Sequence, residues 1–273
     1  MTAAIGRVLI IAGSDSGCGA GIQADIKTVT ALGAFAMTAV TAITVQNTLG
    51  VTGVHPIPID IIDAQARSVL DDIGADVIKT GMLGDVPTVN TVARLLRDYP
   101  VPAVIDPVMV AKGGHALLAQ QAVAAVREAL LPLAALLTPN APEASVLCGF
   151  TIETTDDLRR GGEALLALGA KAVLMKGGHI AGERVVDVLM TAEGETVFEG
   201  PRLHTTSTHG TGCTLASAVA AGLSQGLPLA EAVARARAYL MRAIAGAPGL
   251  GRGHGPLDHG WPMRAPPGSG PSR

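Results

Sequence analysis

A helix beginning Gly210-Thr211-Gly212-Cys213 would offer a phosphate unpaired backbone N–H groups and the positive end of the helix dipole, with glycines that allow close approach. The same field lowers a thiol pKa, so Cys213 is expected to serve as a base or nucleophile; the alternative is a small buried hydrophobe. Gln46 ends an apolar, β-branched run. Its neutral amide has the donor and acceptor pattern that reads an amino group beside a ring nitrogen, or it satisfies loop backbone at a strand end. Asn140 and Glu143, in LLTPNAPEASVLCG, lie three apart on one face of a helix start. They could hold a hydrated Mg²⁺ with phosphate oxygens, or form an N-cap and its capping-box partner, and local chemistry does not separate the two. Asp106, after AVI, adds a further acid, and Lys176, before a double glycine, adds a cation suited to phosphate. Asp25 sits beside the Ile22/Ile26/Val29 stripe, where an acid against a buried face needs a partner or a ligand.

These residues need elements that bring them together. Short apolar runs alternate with helix-period segments: RVLIIAG then GIQADIKTVTALG, FAMTAVTAITVQN then DIIDAQARSVLDDIG, ADVIKTG then PTVNTVARLLRD, PAVIDP then AQQAVAAVREALLP, ALLTPN then APEASVLCGF, and finally AVLMKGG. That rhythm predicts βα units on a parallel sheet. The segment ERVVDVLMTAEGETVFEGPRL instead alternates with period two about a Glu-Gly turn, as an antiparallel edge hairpin does. Ala-rich helices near 212–225 and 228–246 close the chain. Ligands of open parallel sheets sit at the carboxyl ends of the strands. Gly13-Ser14-Asp15, Gln46-Asn47, Thr80-Gly81-Met82, Asp106, Asn140 and Lys176-Gly177-Gly178 all fall on that rim. On the Gln46 strand, Ala36, Thr38, Val40, Ala42 and Thr44 are expected to share its face.

Composition narrows the function classes. Of the 273 residues 48% are apolar, enough for a large core, while aromatics are only 2%, too few for base-stacking platforms. A net charge of −3 without a Lys/Arg cluster argues against nucleic acid and favours small ligands. Cys18, Cys148 and Cys213 are odd in number and widely spaced, as in a reduced, cytoplasmic protein. The N-terminal run VLIIAG is too short for a signal segment, and the longest apolar region is broken by Gln, Arg, Glu and Pro, so no membrane span is expected. GSDSGCGAGIQAD contains a G-x-G-x-x-A match at Gly19, Gly21 and Ala24, but Gln46-Asn47 stand where a dinucleotide fold needs an acid, and no P-loop motif occurs. His179 and His209 lack metal-ligand spacing and read as loop residues. Residues 1–262 read as one domain and 263–273, with APPGSGPSR, as a flexible tail. VMVAKGGHALL, residues 108–118, is a lid candidate on composition.

In order and spacing, AGSDSGCGAGIQADIKT, TAITVQNT, KTGML, DPVM, LTPNAPEA, LMKGGH and THGTGCTLASA resemble the hydroxymethylpyrimidine/phosphomethylpyrimidine kinases of thiamine biosynthesis, from about Arg7 to residue 259. The resemblance implies a ribokinase-like three-layer α/β/α fold with a mainly parallel sheet and an antiparallel edge hairpin. It also implies ATP- and Mg²⁺-dependent phosphorylation of 4-amino-5-hydroxymethyl-2-methylpyrimidine and then of its monophosphate. By the same resemblance Gln46, Gly13, Asp25, Met82 and Val108 surround the ring, and Lys176, Asn140 and Glu143 meet the nucleotide. Glu143, Asn140 and Asp106 would serve Mg²⁺, Gly210, Thr211 and Gly212 would form the anion hole, and Cys213 would take the hydroxymethyl proton. A homodimer is the expected assembly. Pyridoxal or pyridoxine kinase of the same branch ranks second, because a pyridine lacks the amine that Gln46 would read.

Overall fold

The structure is a computed structural model, describing residues 5–109, 117–118 and 120–264. The first strand, β1 (Arg7–Asp15), is almost wholly buried, because helices cover both of its faces. Leu9 and Ile11 enter one core and Val8, Ile10 and Ala12 the other. The remaining strands are β2 (Phe35–Asn47), β3 (Gly50–Pro56), β4 (Val77–Thr80), β5 (Ala103–Ile105), β6 (Leu136–Leu137), β7 (Ala172–Met175), β8 (Arg184–Thr191) and β9 (Gly194–Pro201). They form one sheet in the order β3-β2-β1-β4-β5-β6-β7-β8-β9. Pairing is parallel from β2 to β7 and antiparallel at both edges, where β3 joins β2 and the β8–β9 hairpin joins β7. The expected edge hairpin is present, whereas β3 has no counterpart in the sequence reading.

One face carries α2 (Ile59–Asp72), α3 (Val86–Asp98), α4 (Gln120–Ala125), α5 (Ala141–Cys148) and α6 (Thr155–Ala167). The other carries α1 (Gly21–Ala31), α7 (Thr211–Ser224) and α8 (Leu229–Ala245), which completes three α/β/α layers. Helix α7 is buried continuously from Thr214 to Gly222, wedged between the sheet, α1 and α8. That explains its run of Ala and Gly: a Cβ on Gly222 would lie 2.8 Å from Ala232 Cβ, so a larger residue would force the two helices apart. The helix expected over 119–132 is α from Gln120 only through Ala125, then continues as a π turn to Leu130 and a 3₁₀ turn to Leu133.

A register shift on β2 corrects the expected face. Ala12 pairs with Val40 but Ser14 pairs with Ile43, so an extra residue bulges where Thr41 and Ala42 are both buried. Ala36 and Val40 therefore pack on the α1/α7/α8 side, and only the residues beyond the bulge keep step with Gln46. The tail from 265 onward and lid residues 110–116 lie outside the described residues.

Candidate active site

The carboxyl ends of β1, β4, β5, β6 and β7 open into a cavity of about 430 Å³, closed on the far side by the N-terminus of α7. Gly13, Gln46, Met82, Asp106, Val108, Asn140, Glu143, Lys176 and the whole Gly210–Cys213 turn line it. Strands this short and this buried hand their next residue directly to the rim, which is why Asp106 follows β5 and Lys176 follows β7.

Gly210 begins α7 at φ +80°, a left-handed conformation that costs glycine little, and no side chain caps the helix. The turn packs so closely that a Cβ on Gly210 would lie 1.9 Å from Gly19 O. One on Gly212 would meet Lys176 Nζ at 3.3 Å and Asp106 Oδ2 at 3.6 Å, so helix terminus, ammonium and carboxylate converge on one spot. Cys213 reaches the cavity wall half-buried. Its thiol departs from expectation: burial pushes it up to about 12, Asp25 and Asp106 add to that, and the opposing effects of Lys79 and of a hydrogen bond from the Gly21 backbone do not offset it. The expectation of a lowered thiol pKa is thus corrected, because burial raises it more than Lys79 and the Gly21 hydrogen bond lower it.

Lys176 Nζ lies 2.9 Å from Asp106 Oδ1, which also accepts from Thr138 Oγ1 at 3.0 Å, and 4.0 Å from Glu143 Oε2. Asn140 and Glu143 form the capping box: Glu143 N donates to Asn140 Oδ1 and Asn140 N to Glu143 Oε2, both at 2.9 Å. Asn140 Oδ1 thereby spends one lone pair on the cap and keeps a second, and its N–H groups are donors suited to phosphate. Burial pushes Glu143 up to about 7 against the pull of Lys176, with Asp106 adding to the rise. Two carboxylates beside one ammonium make a wall short of positive charge. Among the described residues no three His, Cys, Asp or Glu groups cluster as a metal site, so any cation here relies on few protein ligands.

Asp25 is set apart from the other expected residues. It is fully buried beneath the cavity floor and does not line it. Both its oxygens accept from Lys79 Nζ at 2.9 Å, and Oδ1 also accepts from Ser217 Oγ at 2.7 Å. Burial raises the Asp25 pKa despite Lys79, and Asp25 in turn holds Lys79 above its usual range despite desolvation. A lysine in the apolar run ADVIKTG was the sequence signal for this pair, since a charge in a buried strand needs a partner. Asp15, expected on the rim, is there, and His209, expected to be only a loop residue, is its partner. His209 Nε2 lies 2.8 Å from Asp15 Oδ2 and 3.3 Å from Gln46 Nε2, all on the cavity wall. The C-terminal segment braces this corner: His254 N donates to Thr48 O at 2.8 Å, His209 N to Gly255 O at 3.1 Å, and Thr214 Oγ1 meets His259 Nε2 at 3.0 Å.

A second cavity, about 240 Å³, opens on the other side of Lys176 and Gly212 and shares Asn140 and Thr211 with the first. Leu215, Leu240, Met241 and Ile244 give it an apolar wall. Arg202 clamps its loop through donors to Gly182 O at 2.6 Å, Gly178 O at 2.8 Å and Ile180 O, while Asp187 joins Arg237 Nε (2.7 Å) to Gly177 N (2.8 Å).

A family profile described as phosphomethylpyrimidine kinase matches residues 15–258. The hydroxymethylpyrimidine/phosphomethylpyrimidine kinase of Streptomyces coelicolor is 50% identical over 94% of this chain and 95% of that protein. A bifunctional thiamine-biosynthesis protein of Geobacter sulfurreducens is 49% identical over 93% of this chain, which spans 52% of its length. Among solved structures, the pyridoxal kinase of Bacillus subtilis in complex with ADP superposes with a TM-score of 0.88 at 40% identity, over 94% of this chain and 98% of that one. With its three α/β/α layers, its two cavities meeting at Lys176 and Gly212, and these likenesses, the chain belongs to the phosphomethylpyrimidine kinase family.

Proposed function

We propose that the protein uses ATP to phosphorylate 4-amino-5-hydroxymethyl-2-methylpyrimidine, and then the resulting monophosphate, in thiamine biosynthesis, with residues 1–262 acting as one kinase domain. The observation that carries this reading is the junction of two cavities at Lys176 and the Gly210–Gly212 turn. The larger cavity suits the pyrimidine, with Gln46 reading its amine and ring nitrogen beside Gly13, Met82 and Val108. The apolar wall of the smaller one suits a nucleotide base, whose phosphates then reach Lys176, the Asn140 amide and the α7 N-terminus. Asp25 acts from below as part of the floor.

Phosphoryl transfer asks the chain mainly to position and to neutralise charge. Gly210, Thr211 and Gly212 hold the transferred group at the helix N-terminus, and Lys176 takes part of its charge. Asp106 and Glu143 fit a hydrated Mg²⁺, which would supply charge neutralisation when bound; both line the cavity beside Lys176, one ammonium against two carboxyl groups. Cys213 faces the reacting hydroxyl. A thiol at about 12 keeps its proton near neutrality, and a loose transition state demands little deprotonation before the P–O bond is well advanced.

A homodimer is part of the same proposal. Ile43 and Val45, on one face of β2, and Leu49, in the turn to β3, leave an exposed apolar patch, where a second copy would cover it. No described helix is long and apolar enough to cross a membrane. The test is ADP release with Mg-ATP across the hydroxymethylpyrimidine, its monophosphate, pyridoxal and pyridoxine. Two successive phosphorylations of the pyrimidine are expected; faster turnover of pyridoxal would overturn the assignment.

A further inference from the structure

Gln46 is surrounded by groups whose protons can be assigned one by one. Asp15 is 1% exposed and accepts from Gly17 N at 2.8 Å, Gly19 N at 3.0 Å and Ala20 N at 2.8 Å. Against the cost of burial, His209 and these N–H groups hold its carboxyl below the usual range, so it is an ionised, acceptor-only group. His209 Nε2, 2.8 Å from Asp15 Oδ2, must then carry a proton and donate it. A nitrogen that donates cannot also accept, so a Gln46 N–H₂ group 3.3 Å from His209 Nε2 would set donor against donor, whereas the carboxamide oxygen at that position can share the proton that His209 gives Asp15. The opposite side of the amide agrees. Thr44 Oγ1 has one proton for two neighbours, Ser14 O at 2.9 Å and the Gln46 amide at 3.0 Å, so the amide atom facing it must be the N–H₂ group. A half-turn about the terminal bond of Gln46, which changes no shape, puts its oxygen toward His209 and its nitrogen toward Thr44 and leaves no donor facing a donor.

We infer that Asp15 and His209 are positioning residues that fix the orientation of the Gln46 carboxamide and, through it, the direction in which an aminopyrimidine lies in the cavity. After its bonds to His209 and Thr44, the amide keeps one N–H and one oxygen lone pair for a ligand. The oxygen takes the exocyclic amine and the N–H meets the ring nitrogen, so the amine lies on the His209 side. The hydroxymethyl group is bonded to the ring carbon next to the one bearing the amine. It is therefore carried toward Gly210–Gly212, which directly follow His209 in the chain and form the anion seat. A reversed amide would turn the hydroxyl away from the transfer centre. The inference rests on the proposed pyrimidine substrate.

The test compares kcat/KM for the aminopyrimidine with that for 5-hydroxymethyl-2-methylpyrimidine, which lacks the amine, each pair measured on one enzyme preparation so that the folded fraction cancels. His209→Phe should cut the preference for the amine-bearing ring about tenfold. His209→Gln, which retains an N–H donor toward Asp15, should restore a good part of it. In a Gln46→Ala background, His209→Phe should change the preference less than about twofold, because there is no amide left to orient. A preference unchanged in His209→Phe, or a tenfold loss that persists in the Gln46→Ala background, overturns the inference. Failure of the wild-type enzyme to phosphorylate either pyrimidine overturns instead the function on which it rests.

Discussion

Lys79→Met isolates the energetics of the cavity floor. Lys79 and Asp25 are both 0% exposed, bridged at 2.9 Å through both carboxylate oxygens, with Ser217 as the third donor. Removing one partner of such a pair leaves a buried, unbalanced charge, at a cost of about 3–5 kcal/mol. At roughly 2–4 °C per kcal/mol for a chain of this size, the midpoint of thermal unfolding should fall by about 10 °C. The loss should also depend on pH. Without Lys79, burial raises the Asp25 pKa in the folded state still further above its unfolded value near 3.9. A raised carboxyl contributes stability below the unfolded pKa that is lost as pH rises through the folded one. The deficit of Lys79→Met is therefore smallest near pH 4–5 and grows toward pH 8, by up to about 1.4 kcal/mol per unit. Asp25→Leu with Lys79→Met should recover most of the stability, since an apolar pair carries no desolvation cost. Urea unfolding of the three variants at pH 5 and pH 8 measures all of this. A single variant within about 1 kcal/mol of wild type at pH 8, or a double variant no better than the single, would refute the reasoning.

Other expectations follow from single contacts. Burial lowers His259 to about 4, so its ring is neutral in the folded state and the unfolded chain binds the extra proton between about pH 4 and 6.5. Stability should therefore be full above pH 6.5 and fall by about 3 kcal/mol as pH drops through 4, and His259→Gln should flatten that limb in urea titrations. With its thiol at about 12, Cys213 should be alkylated by iodoacetamide at a rate rising about tenfold per pH unit from 7 to 10, followed by peptide mass spectrometry; a plateau below pH 9 would contradict the burial argument. Cys213→Ala should lose turnover while keeping its melting midpoint, and a near-normal kcat would remove Cys213 from the reaction. Arg202→Ala should raise KM for ATP roughly tenfold and leave KM for the pyrimidine unchanged, because Arg202 clamps only the loop on the nucleotide side.

The βα rhythm made most of the sheet legible, because strands buried on both faces read as continuous apolar runs. β3 escaped because Gly50-Val51-Thr52-Gly53 sits on an edge with few buried residues and its glycines read as punctuation. The bulge at Thr41 and Ala42 leaves no mark in an alternating run of Ala, Thr and Val, so the face of Gln46 was legible only beyond it. Cys213, Lys176 and the Asn140–Glu143 pair were found from local chemistry. What local chemistry could not give was the balance of opposed effects. The helix terminus that should acidify Cys213 is visible in the sequence, while the burial that raises its pKa, and the opposed charges of Lys79 and Asp25, come from residues brought together only by the fold. His209 reads only as a loop residue for the same reason: its partners, Asp15 and Gln46, lie far away in the chain.

The covering of one sheet face by α7 and α8 sets an order on synthesis. Every strand is complete by Pro201, yet Val8, Ile10, Val77, Val104, Leu136 and Leu174 wait for residues 211–245 to cover them, with only α1 from the earlier chain on that side. The helix that finishes this core is also the one that ends the cavity in an anion seat. A chain halted before that point presents a broad greasy sheet and no transfer centre, so shortened products should be sticky and quickly degraded in preference to persisting as inactive competitors for the pyrimidine. Solubility and catalytic competence thus arrive together, in the last quarter of the chain.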